Sequence, residues 1–384
     1  MHRKSVLLLM IAVGALLALG AVMLASTGEF AGDAHGKPYF FIKRQLIWIG
    51  ISLGACYVIS RVDYHFWLDH CGWIYGVSAV LLILCFVPPI GAKINGSHRW
   101  IRLGFSMFQP SELAKWSAIS FLAWWYSQED RVERNWLRGF LAPLTAVGAL
   151  MFLIVLEVDV GSTALIGATS LVLLVTAGSP KRFVLPVLAL GAGVIAGAIL
   201  MMPERMGRFL AFLNPEKYPA DAYQTQQGLI ALGAGGISGL GLGNGRQKLM
   251  YLPFAHTDFI FPVVGEELGL MGSLGVVFMY VLFVLAGVSI AVKARDRAGL
   301  LMGMGVVMII AIQAAVNLGV TTQLLPNKGL PLPFVSYGGS NLLFCMACVG
   351  VLINIYRQGV SEQEEHQMEQ LEMALKADRR VVKL

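Results

Sequence analysis

The residues best suited to chemistry lie in one stretch, Tyr251 to Leu270, YLPFAHTDFIFPVVGEELGL, which sets carboxylates and a histidine against apolar sequence. Charge in such company is costly and calls for a reason. Asp258 stands two positions after His256 and directly before Phe259, Ile260 and Phe261. Aromatic surface beside a carboxyl disfavours its ionised form and raises its pKa, which is the setting of a general base. An acidic residue in an ordinary loop fits this stretch equally well. A second pair, Glu112 and Lys115, sits in an apolar run that opens Gln109-Pro110-Ser111, with proline suited to a first helical turn. Their spacing of three puts them on one helical face, either as a functional pair or as a structural ion pair. A third candidate is the glycine-rich run ALGAGGISGLGLGNGRQK. It lacks the full G-x-G-x-x-G spacing, so a dinucleotide fold is not supported. Main-chain N–H groups at Gly239, Gly241, Gly243 and Gly245, beside Arg246 and Lys248, could cradle a phosphate, and a flexible connector is the alternative.

The elements that must position these groups are membrane spans. Of the 384 residues, 57% are hydrophobic and only 14% charged, and the mean hydropathy is +0.68, too apolar for a soluble domain of this size. The first apolar run, Ser5 to Ala25, is longer than the ~7–15 residues of a signal-peptide core and reads as a span. Further runs fall at Leu46 to Ser60, Gly72 to Pro89, Gln109 to Tyr126, Leu137 to Leu156, Val160 to Gly178, Phe183 to Met202, Pro262 to Val292, Leu300 to Val320 and Ser336 to Tyr356. The expectation is an all-α polytopic membrane protein of about ten spans, residues 1–356, with a large extracytoplasmic loop, 203–261, between the seventh and eighth, and a cytoplasmic tail, 357–384.

Orientation follows from basic residues in short loops. Arg61, the trio Arg131, Arg134 and Arg138, the pair Lys181 and Arg182, and Lys293, Arg295 and Arg297 fall on the side of Arg3 and Lys4, which the positive-inside rule makes cytoplasmic. The other side nevertheless carries Lys93, Arg99, Arg102, Arg205, Arg208, Arg246, Lys248 and Lys328. Cations held outside against the insertion bias imply an anionic partner there, a phosphate-bearing substrate or lipid headgroup, although a long translocated loop is partly exempt from the rule. Trp100, between Arg99 and Arg102, reads as an interfacial anchor or as part of a phosphate grip. Asn95-Gly96-Ser97 also matches a glycosylation sequon, a weak signal. Glu157 and Asp159 could pair with the arginines, bind a cation or solvate their turn. Gly193 and Gly197 form a G-x-x-x-G expected to pack helices closely. Three prolines and repeated glycines in LLPNKGLPLPFVSYGGSN, Leu324 to Asn341, predict irregular backbone packed on protein or lining a cavity. The five cysteines give no disulfide framework, and Cys345-x-x-Cys348 within an apolar run reads as packing. Basic residues spread over alternating loops do not make a nucleic-acid surface.

Taken in order, NGSHRWI, QPSELAK, EVDVGST, GLGNGRQKLMYLPFAHTDFIF with GEELG, and LLPNKGLPLPFVSYGGSN resemble the SEDS family (shape, elongation, division and sporulation) over nearly the whole chain, and its division branch more than its elongation branch. The resemblance implies a peptidoglycan glycosyltransferase that polymerises lipid II on the outer face of the bacterial cytoplasmic membrane, together with a class B penicillin-binding protein and other division proteins. It implies that Asp258 is the essential acid, that Glu112 and Lys115 are the polar pair of the fourth span, and that Arg99, Trp100 and Ser340 lie near the cavity. Transfer of a sugar with loss of a lipid diphosphate needs a base for the acceptor hydroxyl and positive charge at the leaving group. Asp258 is the candidate base; Arg99, Arg246, Lys248 and Lys328 are candidates for the diphosphate, and His256, two positions before Asp258, is a further candidate for substrate binding. A divalent cation could replace part of the basic set, although no ligand cluster demands one. A transporter flipping a polyprenyl-linked sugar, and a scaffold without chemistry, are the rival readings.

Overall fold

Helices form wherever the chain is apolar for more than a few turns, because inside a bilayer only intrasegment hydrogen bonds satisfy the main chain. The computed structural model describes residues 2–28, 40–94, 96–102, 107–128, 137–179, 181–249 and 251–381. In chain order these form α1 (His2–Gly28), α2 (Phe40–Arg61), the short α3 (Tyr64–Asp69), α4 (Cys71–Leu84), strands β1 (Gly91–Ile94), β2 (Ser97–Arg102) and β3 (Met107–Phe108), and α5 (Pro110–Ser127). A π-helical turn at Leu137–Leu141 leads into α6 (Ala142–Leu156), followed by α7 (Val160–Thr176), α8 (Lys181–Met201), α9 (Pro203–Leu213), α10 (Pro219–Gly235), α11 (Ile260–Ala291), α12 (Arg297–Thr321) and α13 (Gly339–Val381).

Each apolar run read from the sequence carries a helix, and among the described residues six helices are long and apolar enough to cross a membrane. Helix α5 falls outside that set because it carries Glu112, Lys115 and four serines. Most of its length is buried among other helices, where polar groups find protein partners. Of those six, α12 and α13 are the most buried, and α13 lies along α2 while α12 packs on α5, α7 and α11. The core runs through Leu16, Ile119, Phe283, Val306, Val335 and Leu352.

Two expectations need correction. The molecule is not wholly helical: Gly91 to Phe108 forms a three-stranded antiparallel sheet of order β1-β2-β3. Its first hairpin pairs Ile94 with Ser97, and Gly96, directly before Ser97, has a positive φ of 75° that suits glycine. Within the segment 203–261, α9 and α10 occupy the first half, and α10 packs along α11. Gly193 and Gly197 make no close helix contact, because nothing described lies within 4 Å of where a Cβ would stand at either position. The charged positions Arg131 and Arg134, and Asn95 of the sequon, lie outside the described residues.

The glycine-rich run has a different use from the one its composition suggested. Helix α11 kinks at Gly269, whose φ of 70° suits glycine, and the run lies directly on that kink. A Cβ at Gly239 would stand 2.2 Å from the Glu267 carbonyl oxygen, so close backbone approach requires glycine there. Main-chain bonds from Leu240 to the Glu266 carbonyl and from Leu270 to the Gly236 carbonyl, 3.0 and 2.9 Å, seal the contact.

Candidate functional site

Asp258 ends an irregular turn just before α11, and it is partly buried. Main-chain and side-chain bonds hold that turn: Tyr337 N donates to the His256 carbonyl at 3.0 Å, and Ser336 Oγ donates to the Thr257 carbonyl at 2.6 Å. The carboxylate lies against the main chain of Gly329, where a Cβ would come within 2.4 Å of Asp258 Oδ2. Glycine at 329 therefore makes room for the acid. Burial pushes the Asp258 carboxyl up to about 6, against the opposing pull of the Arg99 and Arg208 guanidinium groups.

A second carboxylate belongs to the same place. Asp159 caps α7 through Ser162 N at 3.1 Å, and its other oxygen accepts from Ser162 Oγ at 2.7 Å and Gln109 Nε2 at 3.1 Å. Burial alone would raise its pKa, but the Arg99 charge, the Ser162 bonds and Lys328 outweigh it and hold the acid below its ordinary range. Of the alternatives open for this turn, pairing with an arginine is the one observed, with Arg99 Nη1 3.9 Å from Asp159 Oδ1. Its neighbour Glu157 is fully buried beside the Cys85 thiol, and burial pushes it up to about 8.

The cations divide into two groups. Arg99, on β2, donates from Nε to Ser97 Oγ at 2.8 Å, so the hairpin fixes its direction. Lys328 lies over Gly161, and burial, with the crowding of Arg205, Arg208 and Arg99, pushes its ammonium down to about 8. Arg205 donates to the Val158 carbonyl beside Asp159. Arg205 and Arg208, three apart on α9, thus belong with Arg99 and Lys328; their sequence signal was only that they were outward cations.

The structure does not bring Arg246 and Lys248 to that cluster. Lys248 is buried and pairs with Glu267 Oε1 at 2.7 Å, while also donating to Ser26 Oγ at 2.7 Å and the Gly243 carbonyl at 2.8 Å. Arg246 exposes its side chain and donates its main-chain N–H to Glu266 Oε1 at 2.8 Å. Gly243 and Gln247 donate their N–H groups to Glu267 and Glu266 likewise. The nest in the glycine-rich run is filled by two carboxylates of the chain itself.

The remaining candidates surround the site at varying depth. Glu112 and Lys115 pair at 2.7 Å, both buried; Lys115 Nζ also reaches Gln313 Oε1 at 3.0 Å and lies 4.7 Å above the Phe344 ring. Asn341 Nδ2 completes the Glu112 side at 3.3 Å. Ser340, buried at the start of α13, accepts from Gln109 N at 3.3 Å and donates to the Met107 carbonyl at 3.4 Å, joining α13 to the sheet. Trp100 pairs with Ala92 across β1 and β2 and is partly buried. His256 stacks on Phe41 at 4.3 Å, and burial lowers its pKa to about 4, so it is a neutral packing group near neutral pH. Among the described residues no three His, Cys, Asp or Glu side chains converge as metal ligands would. Sequence reasoning missed Gln313 and Asn317, whose signal was two amides four apart within an otherwise apolar helix.

Comparison with known proteins agrees over almost the whole length. The chain is 38% identical over 357 residues to a probable peptidoglycan glycosyltransferase FtsW of Geobacter metallireducens, covering 92% of this chain and 95% of that one. It is 40% identical over 345 residues to the Coxiella burnetii protein of the same description, covering 88% and 93%. Stage V sporulation protein E of Bacillus subtilis is 36% identical over 353 residues, covering 91% and 96%. Among solved structures, a chain from a study of the structural coordination of polymerization and crosslinking by a peptidoglycan synthase complex matches with a TM-score of 0.75 at 28% identity, covering 91% of this chain and 97% of that one. The rod shape determining protein RodA of Thermus thermophilus matches with a TM-score of 0.67 at 26% identity, covering 91% and 95%. The family model FTSW_RODA_SPOVE, cell cycle protein, matches residues 7–360, and the chain belongs to that family, the SEDS proteins.

Proposed function

We propose that this protein is a division-type peptidoglycan glycosyltransferase that polymerises lipid II at the outer face of the bacterial cytoplasmic membrane, with Asp258 as general base. The observation that carries the reading is a single one: a partly buried carboxyl with a pKa of about 6 stands in a field of cations from three separate elements, β2, α9 and the segment before α13. A base poised near neutrality takes the proton of an acceptor sugar hydroxyl as that oxygen attacks the anomeric carbon of the donor. The bond from that carbon to the lipid diphosphate breaks, its electron pair leaves with the diphosphate, and Arg99 and Lys328 balance the charge that develops. One displacement inverts the anomeric centre, so no second carboxylate nucleophile is needed. The chain is read here with ten spans, both termini cytoplasmic and Asp258 outside, at the division site beside a crosslinking penicillin-binding partner.

The test is polymerisation of purified lipid II by the protein with that partner. Asp258→Asn keeps the size of the side chain and removes the base, so glycan strands are expected to disappear while folding and partner binding persist. Polymerisation by Asp258→Asn at the wild-type rate would sink the assignment of the base. Movement of lipid II between leaflets without strand formation by the wild-type protein would favour the transporter.

A further inference from the structure

Two buried amides on α12, one turn apart, face the irregular segment that follows the helix. Gln313 Nε2 donates to the Pro331 carbonyl at 2.8 Å while its Oε1 accepts from Lys115. Asn317 Nδ2 donates twice, to the Asp258 carbonyl at 2.8 Å and to the Leu330 carbonyl at 2.6 Å. Since both partners are acceptors, the amide must present its NH2 group to them, and the two hydrogens are both used. Its Oδ1 is buried with no hydrogen bond, an arrangement that carries a desolvation penalty and is retained nonetheless.

The two carbonyls joined by Asn317 belong to the two halves of the site. One is on the residue that carries the carboxylate. The other lies two residues after Lys328 and one after Gly329, whose main chain the Asp258 carboxylate touches. Ser336 and Tyr337 already hold the same turn at Thr257 and His256, from the side of α13. Folding of the turn is therefore provided for from one side, and the contact to residue 258 from the other side sets where its side chain points.

We propose that Asn317 is a positioning residue: it clamps the Asp258 turn to the Lys328–Leu330 segment so that carboxylate and ammonium keep one geometry during sugar transfer. The proposal rests on the reading of Asp258 as base. Gln313 extends the clamp one turn deeper, to Pro331, and connects it to the buried Glu112–Lys115 pair. That pair thereby acts on the site through α12.

The experiment compares wild type, Asn317→Leu and Asp258→Asn, each purified with the penicillin-binding partner, in lipid II polymerisation across pH. Asn317→Leu preserves side-chain size and removes both donors. A shift of about 1 Å in a reacting group costs on the order of 100-fold, so kcat is expected to fall by roughly 10- to 100-fold with KM changed less than about threefold. Once the turn is released, its carboxyl gains water, and the acid limb of kcat moves to lower pH. Folded Asn317→Leu with wild-type kcat and acid limb overturns the proposal, and so does a fall in kcat with an unmoved limb, which is what a merely structural role gives. If Asn317→Leu does not fold, Asn317→Ser, which keeps one donor, is read by the same two measures. An active Asp258→Asn would instead remove the underlying reading.

Discussion

At the residue scale the site is defined by groups held away from their ordinary protonation. Asp258 titrates at about 6 and Lys328 at about 8, each displaced first by burial. A base must be ionised to accept a proton, and an ammonium must be protonated to balance a leaving diphosphate. The sign is therefore fixed: kcat/KM, which reports the free protein, should rise with pH through about 6 and fall through about 8, a bell with its plateau near neutrality. Measured polymerisation between pH 5 and pH 9 checks it, and Lys328→Arg, which stays protonated throughout, should abolish the alkaline fall. A rate flat from pH 5 to pH 7 would mean that Asp258 is not the titrating base. Asp258 stood out in the sequence as a carboxylate set against apolar residues, and Arg99 and Lys328 as cations on the outer side against the insertion bias. Asn317 was not, because an amide acquires its role only from the carbonyls that fold against it, and those belong to residues 59 and 13 positions away.

At the element scale, hydropathy predicted helices well, since span length and main-chain satisfaction leave a bilayer segment few alternatives. Short strands gave no comparable signal, and the β1–β2 hairpin lies in a segment that reads as interfacial. The glycine-rich run misled in a more instructive way. Its glycines allow the chain to lie on the kink of α11, and Glu266 and Glu267 fill the resulting nest of N–H groups. Lys248 and Glu267 are both buried, and removal of one partner strands the other charge. Lys248→Met is expected to cost about 3–5 kcal/mol in stability. Thermal unfolding in detergent checks this, and a variant of unchanged midpoint but raised KM would restore Lys248 to the substrate.

At the scale of the whole molecule the two ends are built for different tasks. The Asp258 end gathers cations that their neighbours only partly balance, whereas the opposite end, where α2, α11 and α13 come together, gathers charges that satisfy one another. There His65 sits between two carboxylates, with Nδ1 2.7 Å from Asp63 Oδ1 and Nε2 2.7 Å from Asp296 Oδ2. Tyr64 Oη donates to Asp296 Oδ1 at 2.9 Å, Tyr64 N donates to Asn354 Oδ1 at 2.9 Å, and Arg295 lies within reach of Tyr64. This clasp joins α3, the turn before α12 and the inner part of α13. Burial alone would lower the His65 pKa, but the bonds and charges of Asp63 and Asp296 outweigh it and raise it. Against burial, Gln358 and then the His65 bonds hold Asp63 below its ordinary range, and the Gly299 N–H and then the His65 and Tyr64 bonds do the same for Asp296. A raised histidine contributes stability that is complete below its unfolded pKa, about 6.5, and is lost as pH rises through the folded value; the depressed acids contribute above about 4 and lose it as pH falls through theirs. The clasp is therefore strongest between about pH 4 and pH 6.5. Because all three side chains are more than a third exposed, the effect is discounted to about 1 kcal/mol or less. His65→Gln should lower the unfolding midpoint at pH 6 and have a smaller effect at pH 9, with polymerisation per folded molecule unchanged, since the clasp is at the far end from Asp258. An equal loss of stability at both values of pH would show that the imidazole contributes through packing on Tyr64 and not through its charge.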